Sequence, residues 1–354
     1  MVRRNESRVA LSISIYTLIG SLLLPHSAAA EGHALFAKAA YSKDRSAQTT
    51  PTEPTTYREE GVSIDPEMLL EADIELNLFN HHPLPARRTR VIHRGEESMT
   101  WIGEVLGARD SLVMLTRHKG VVSGFVHFEN QSFQIAPNPE GGSRLRQLNR
   151  DALPSGCGNH GIVCPVVKAR PDIKTSTVEA VLAPPSATVV DVMIVYTPAA
   201  KTRHSLAGIE AMIINGVESV NQTCINSLVN IHFNLVYMGE VDYVETGDMR
   251  VTVDEMRNPG DGKMDEVHAL RDEYGADIVT IASEDTNFGG WAYIMRNESV
   301  AFASNAFSAV HSAQLTFVTL AHEWGHNMGL ERGTNYRRTM ATNQRNKRAR
   351  TTDL

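Results

Sequence analysis

Between positions 100 and 135, apolar and polar residues alternate in short runs. Trp101, Gly103 and Val105 alternate with Ile102, Glu104 and Leu106. A run over 111–116 ends on Arg117-His118-Lys119-Gly120. Another over 121–128 ends on Glu129-Asn130-Gln131, and 132–135 follows. A period of two, broken at regular intervals by Gly or Asn turns, predicts an antiparallel meander. A β-rich first domain is therefore expected over 61–150, with order beginning near Val62. Past position 187 the pattern changes. Residues 189–196 form an unbroken strand-like run stopped at Thr197-Pro198. Residues 205–229 carry Leu206, Ile209, Ile213, Val217, Val220, Cys224 and Leu228 at helical spacing. A strand over 231–238, a helix over 264–274, a strand over 276–282 and a last helix over 312–329 follow. Strands alternating with helices predict a layered α/β domain, placed at 188–343.

The segments between these patterns read as connectors. Residues 42–59 are rich in Thr, Pro and Ser without an apolar period, so a flexible spacer is expected over 31–60. Residues 151–187 carry Pro165, Pro171, Pro184 and Pro185 and read as a linker. Ahead of both, Arg3, Arg4 and Arg8 precede an apolar run over 9–24, and Ser27-Ala28-Ala29-Ala30 offers small residues for cleavage. That layout predicts a secretory signal peptide over 1–30 and a secreted chain, extracellular or periplasmic. The other reading of this stretch is a membrane anchor. No later stretch is apolar for long enough to span a bilayer, so no membrane partner is expected once the signal is removed. A length of 354 residues allows two domains. The formal net charge of −7 gives no reason to expect a nucleic-acid partner. Only three cysteines are present, so the fold must rest on its apolar cores.

The chemistry is concentrated in 320–329. His322-Glu323-Trp324-Gly325-His326 is H-E-x-x-H on an expected helix. Residues four apart share a helix face, so the two imidazoles can reach one Zn²⁺. Glu323 sits beside the first of them. It can take a proton from water at the metal and pass it to the leaving amine. The plain alternative is a helix whose two histidines are ordinary core or surface groups.

The stretch resembles the metzincin zinc peptidases, in particular the reprolysin-like (adamalysin-type) group, whose bacterial members include secreted proteins with a propeptide. The pattern H-E-x-x-H-x-x-G-x-x-H is matched through His322, Glu323, His326 and Gly329. The strand 191–198 and the stretch 275–279 look similar to that group, and the 101–135 meander resembles its propeptide. The resemblance implies a mixed twisted sheet with packed helices, a Zn²⁺ cofactor, protein or peptide substrates, and the chain's own prodomain as inhibitor. It also implies that 289–293 is an edge strand pairing with substrate backbone. The pattern's third histidine falls on Arg332, which has no lone pair for a metal. Glu331 stands as a substitute ligand, and Asp353 as a more remote one. Arg338-Thr339-Met340-Ala341 looks like the group's methionine turn, arriving early, as though a segment were missing. Met340 then either lies beneath the zinc site or is an ordinary residue in a polar stretch with six Lys or Arg over 337–350; 344–354 reads as a basic tail.

Cys157 has two readings as well. Its thiolate can cap the metal as a propeptide switch, or it can form a disulfide with Cys164. Cys224, on an apolar helical face, reads as a core residue. His81-His82 reads as a surface pair. The expectation is a secreted zinc endopeptidase zymogen. Two alternatives stand beside it: a truncated, catalytically impaired relative lacking the third ligand, and a secreted binding or adhesion protein.

Overall fold

The computed structural model describes residues 34–38, 55–79, 83–149 and 187–330. The signal region, the 151–186 stretch with Cys157 and Cys164, His81-His82, Glu331, Arg332, Met340 and Asp353 lie outside them.

The alternating runs of the first half become nine antiparallel strands. β1 is Phe36–Lys38, β2 Thr56–Ile64, β3 Asp73–Leu76, β4 Leu84–Arg94 and β5 Ser98–Val105. β6 is Leu112–His118, β7 Val121–Phe128, β8 Gln131–Pro137 and β9 Ser143–Leu148. Their order is β1-β2-β9-β8-β7-β6-β5-β4-β3. Two expected turns are two-residue hairpin loops with positive φ at both positions, Lys119-Gly120 and Glu129-Asn130. Those angles match the right-handed strand twist, as type I′ turns do. The two ends of the strand order meet. Phe36 pairs with Ile64 of β2, while the Leu35 amide donates to the Glu75 carbonyl of β3 at 2.8 Å. This closure leaves few backbone groups unpaired at the edges.

Inside sit Leu69, Leu76, Trp101, Val113, Leu115, Val126, Phe133, Ile135 and Leu145. β5 to β8 are buried on their outer face too, at Thr100, Thr116, His118 and Gln134. That face packs against the second domain. The spacer expected over 31–60 is corrected accordingly: Phe36–Lys38 and the start of β2 are strand. Charged side chains hid β2 in the pattern. They are satisfied sideways, Arg58 donating to Gln147 and Arg146 pairing with Glu59.

The second domain keeps the expected alternation and adds two helices, over 198–204 and 249–257, and a strand over 307–311. It runs β10 Thr188–Tyr196, α1 Pro198–His204, α2 Leu206–Asn226, β11 Ile231–Glu240, α3 Met249–Arg257 and α4 Glu266–Tyr274. It continues with β12 Ile278–Ser283, β13 Gly290–Ala292, β14 Phe307–His311 and α5 Thr319–Asn327. The sheet order is β11-β10-β12-β14-β13, parallel except for the β13 edge strand, which runs antiparallel to β14. Central strands of a parallel sheet are covered on both faces, which explains the unbroken apolar run of β10. Val192, Ile194 and Tyr196 join α2 and α5 on one face. Met193 and Val195 meet α3 and α4 on the other.

Thr197 does stop β10, but it also caps α1, accepting from the Ala200 amide with Pro198 in the first turn. The last helix is corrected too. It starts at Thr319, because His311 caps a separate turn over Ser312–Gln314. Among the described residues no helix is long and apolar enough to cross a membrane.

Candidate active site

α5 is anchored by the side facing away from its histidines. Trp324 is fully buried, its indole N–H donates to Thr280 Oγ1 at 2.8 Å, and its ring packs on Phe233. Leu320 is buried in the same cluster. The helix ends at Gly329, whose φ of +89° is left-handed. The Gly329 amide donates to the His326 carbonyl and the Leu330 amide to the Gly325 carbonyl, the paired bonds of a Schellman cap. A Cβ at 329 would lie 3.1 Å from the Met295 carbonyl oxygen, so glycine serves both the angle and the packing.

That ending fixes one histidine. The His326 ring is buried, and its Nδ1 donates to the Leu330 carbonyl at 2.7 Å. A proton held on Nδ1 leaves Nε2 with the lone pair, the usual arrangement around a metal-binding imidazole. His322 lies one turn earlier, and the two ring centroids are 4.4 Å apart and nearly perpendicular.

Glu323 has a different environment. It is 0% exposed, and neither carboxylate oxygen has a hydrogen-bond partner among the described residues. Burial pushes its pKa well above the ordinary carboxylate value. β13 passes directly over it: a Cβ on Gly290 would come 2.5 Å from Glu323 Oε1. Glycine at 290 is what lets the edge strand and the carboxylate share this space.

The strand and the helix are also tied together. The Met295 amide donates to the His326 carbonyl at 3.0 Å, and Asn327 Nδ2 donates to the carbonyls of Tyr293 and Phe307. Two imidazoles one helical turn apart are donors of the kind that hold Zn²⁺, and Glu323 follows the first of them in the chain. Among the described residues no third His, Cys, Asp or Glu joins them.

The segment leading into α5 is held by a second polar cluster. His204 Nε2 donates to Ser312 Oγ at 2.8 Å, Ser312 donates to Glu284, and Arg203 pairs with Glu284 at 2.9 Å. Burial keeps both neighbouring imidazoles neutral. His204 is pushed well below its usual range, and His311 is lowered to about 4. Burial raises the Glu284 carboxyl.

His322 and His326 lie ring beside ring on α5, Glu323 is buried beneath Gly290, and 290–292 is an edge strand. Glu331, Met340 and Cys157 lie outside the described residues. Cys224 is a free thiol, half-buried against the helix–sheet core, and burial raises its pKa. Sequence reasoning missed the Trp324–Thr280 tether and the role of the Leu330 carbonyl. It marked Gly290 only as part of an edge strand; the Gly289-Gly290 doublet was the available signal.

Residues 186–345 match the family described as Reprolysin_5, metallo-peptidase family M12. A peptidyl-Asp metalloendopeptidase of Xanthomonas campestris pv. campestris is 25% identical over 340 residues, covering 89% of this chain and 80% of that one. A protein of the same name from Stenotrophomonas maltophilia is 24% identical over 341 residues, covering 89% and 79%. Metalloproteinase-II from Bacteroides fragilis superposes with a TM-score of 0.40 at 12% identity, covering 73% of this chain and 80% of that one. This chain is a metalloendopeptidase, and its match to metallo-peptidase family M12 lies in the second half of the chain.

Proposed function

We propose that the chain is a secreted zymogen whose second domain hydrolyses peptide bonds at α5, with the β-rich first domain as its propeptide and inhibitor. His322 and His326 hold Zn²⁺, the latter through Nε2. When bound, the ion supplies Lewis-acid polarisation of the scissile carbonyl and acidifies a nearby water. Glu323 takes the proton of the attacking water and returns it to the leaving amine. β13 offers its open edge to an extended peptide.

The observation that carries this reading is Glu323 itself: a buried carboxylate with no hydrogen-bond partner among the described residues, one position after His322 and roofed by Gly290. A structural glutamate would be paired. The relatives' name makes bonds beside aspartate the first substrates to try. A second reading keeps the fold and weakens the metal site, because Arg332 stands where the pattern has its third histidine and no other ligand joins the pair among the described residues.

The test is hydrolysis of Asp-containing peptides by the processed protein, alongside Glu323→Gln. Cleavage that is lost in the variant and abolished by a chelator supports the first reading. Tightly held zinc without cleavage, or no zinc at all, favours the impaired one.

A further inference from the structure

Glu323 is not alone beneath the start of the edge strand. The ladder between β13 and β14 reaches back one residue, where the His311 amide donates to the Gly289 carbonyl at 2.9 Å. A Cβ on Gly289 would lie 3.0 Å from Gln314 Nε2 and closer still to Oε1, just as a Cβ on Gly290 would meet Glu323. The glycine doublet therefore makes room for two polar side chains at neighbouring positions of one strand. Neither could stay where it is if its glycine carried a side chain.

Gln314 closes the short turn that leads towards α5. Its neighbours Ser312, Ala313, Leu315 and Thr316 are buried, whereas Gln314 is only partly so. Thr319, the first residue of α5, holds one end of it: Thr319 Oγ1 donates to Gln314 Oε1 at 3.1 Å. With the oxygen engaged, the amide nitrogen is the free end, and Nε2 finds no acceptor among the described residues. Two donor hydrogens thus stand unpaired beside the open edge of β13.

The backbone of an extended peptide on such an edge is met by the strand's own amides and carbonyls, and its side chains are read by the groups around it. A carboxamide –NH₂ bonds a carboxylate or a carbonyl and has nothing to offer an apolar or cationic side chain. We infer that Gln314 is a specificity-determining residue, whose Nε2 donates to the side-chain carboxylate of an acidic substrate residue beside the bond cut at Glu323. A site built to bond a polar side chain discriminates strongly, because an apolar analogue leaves its donor unpaired. This assignment rests on the hydrolysis proposed above, with Asp-containing peptides as substrates, and adds the group that reads the acid.

The test uses three peptides that differ at one residue, Asp, Asn or Leu, beside a single scissile bond. Their kcat/KM values are measured on the protein, on Gln314→Leu and on Gln314→Glu. Their dissociation constants are measured on the same three proteins carrying Glu323→Gln, so that binding is read without cleavage. Gln314→Leu should shrink the Asp-over-Leu preference by about 10- to 100-fold, the worth of one hydrogen bond to a charged group. Gln314→Glu should invert the order of Asp and Asn, because a carboxylate repels the acid and accepts from the amide. Each preference is a ratio within one protein, so partial unfolding cancels from it. Preferences that stay the same in both variants, by cleavage and by binding, would overturn the assignment. So would losses that fall equally on all three peptides, the mark of a merely structural residue. No cleavage of any peptide by the unaltered protein would count against the proposed function, and the binding preferences would still decide the role of Gln314.

Discussion

α2 and α5 each bury a glutamate, and the two acids are treated in opposite ways. Glu218 on α2 is 1% exposed and receives the forked guanidinium of Arg94. Glu323 on α5 is 0% exposed and receives no bond from any described residue. Burying a charge without a partner is expensive, and the group responds by holding its proton. The paired acid therefore does structural work, joining two domains. The unpaired one is the acid proposed for the chemistry, on a helix held by the Trp324 anchor and the Gly329 cap.

The sharpest way to break this comparison is to neutralise each acid. Glu323→Gln should lower peptide hydrolysis by about 10²–10⁴-fold, the usual worth of a general acid–base group. The thermal melting point should hold, since the buried carboxyl already keeps its proton and the amide replaces it with another neutral group of the same shape. Arg94→Ala should do the reverse. It leaves Glu218 buried without its cation and should cost about 3 kcal/mol in urea unfolding. A variant that loses activity and stability together at Glu323, or neither at Arg94, would dissolve the distinction.

The His204–His311 cluster sharpens the picture through pH. Both imidazoles are held neutral by burial in the folded chain, while the unfolded chain titrates near 6.5. The unfolded state thus binds protons first on acidification. Stability is intact above about pH 6.5 and is lost as pH falls from there towards 4, by roughly 3 kcal/mol for His311 alone. Urea midpoints taken across that window should slope accordingly, and His311→Gln should flatten the slope.

Gly290→Ala places a methyl carbon on the Glu323 carboxylate. It should reduce turnover by about 10²-fold through misplacement, with an overpacking cost of about 1–2 kcal/mol. The smallest effect is at the cap. Gly329→Ala should cost about 1 kcal/mol of melting stability for its left-handed φ.

Much of the second domain was legible because its apolar residues obey one period at a time. β10, α2, β11, α4 and β12 carry unbroken or strictly spaced apolar positions, and H-E-x-x-H declares its own face. The hidden parts are those where charge overrides pattern or where contacts come from distant residues. β4 carries Arg87, Arg88, Arg90 and Arg94 and does not look like a strand, yet two of these cations are partners for α2. β2 hides its strand behind Arg58 and Glu59, which pair laterally. The start of α5 was misplaced because His311 and Ser312 form a capped turn of their own, which periodicity cannot separate from a helix. The polar stripe of α2 reads as a solvated face until the sheet that covers it is in place.

The central claim is that His322 and His326 hold a zinc ion over Glu323. Zinc content and affinity of the full chain, measured against His326→Ala, test it most directly. One tightly held zinc per chain, lost in the variant, is the predicted result. No zinc, or loose zinc held equally by both proteins, would contradict it.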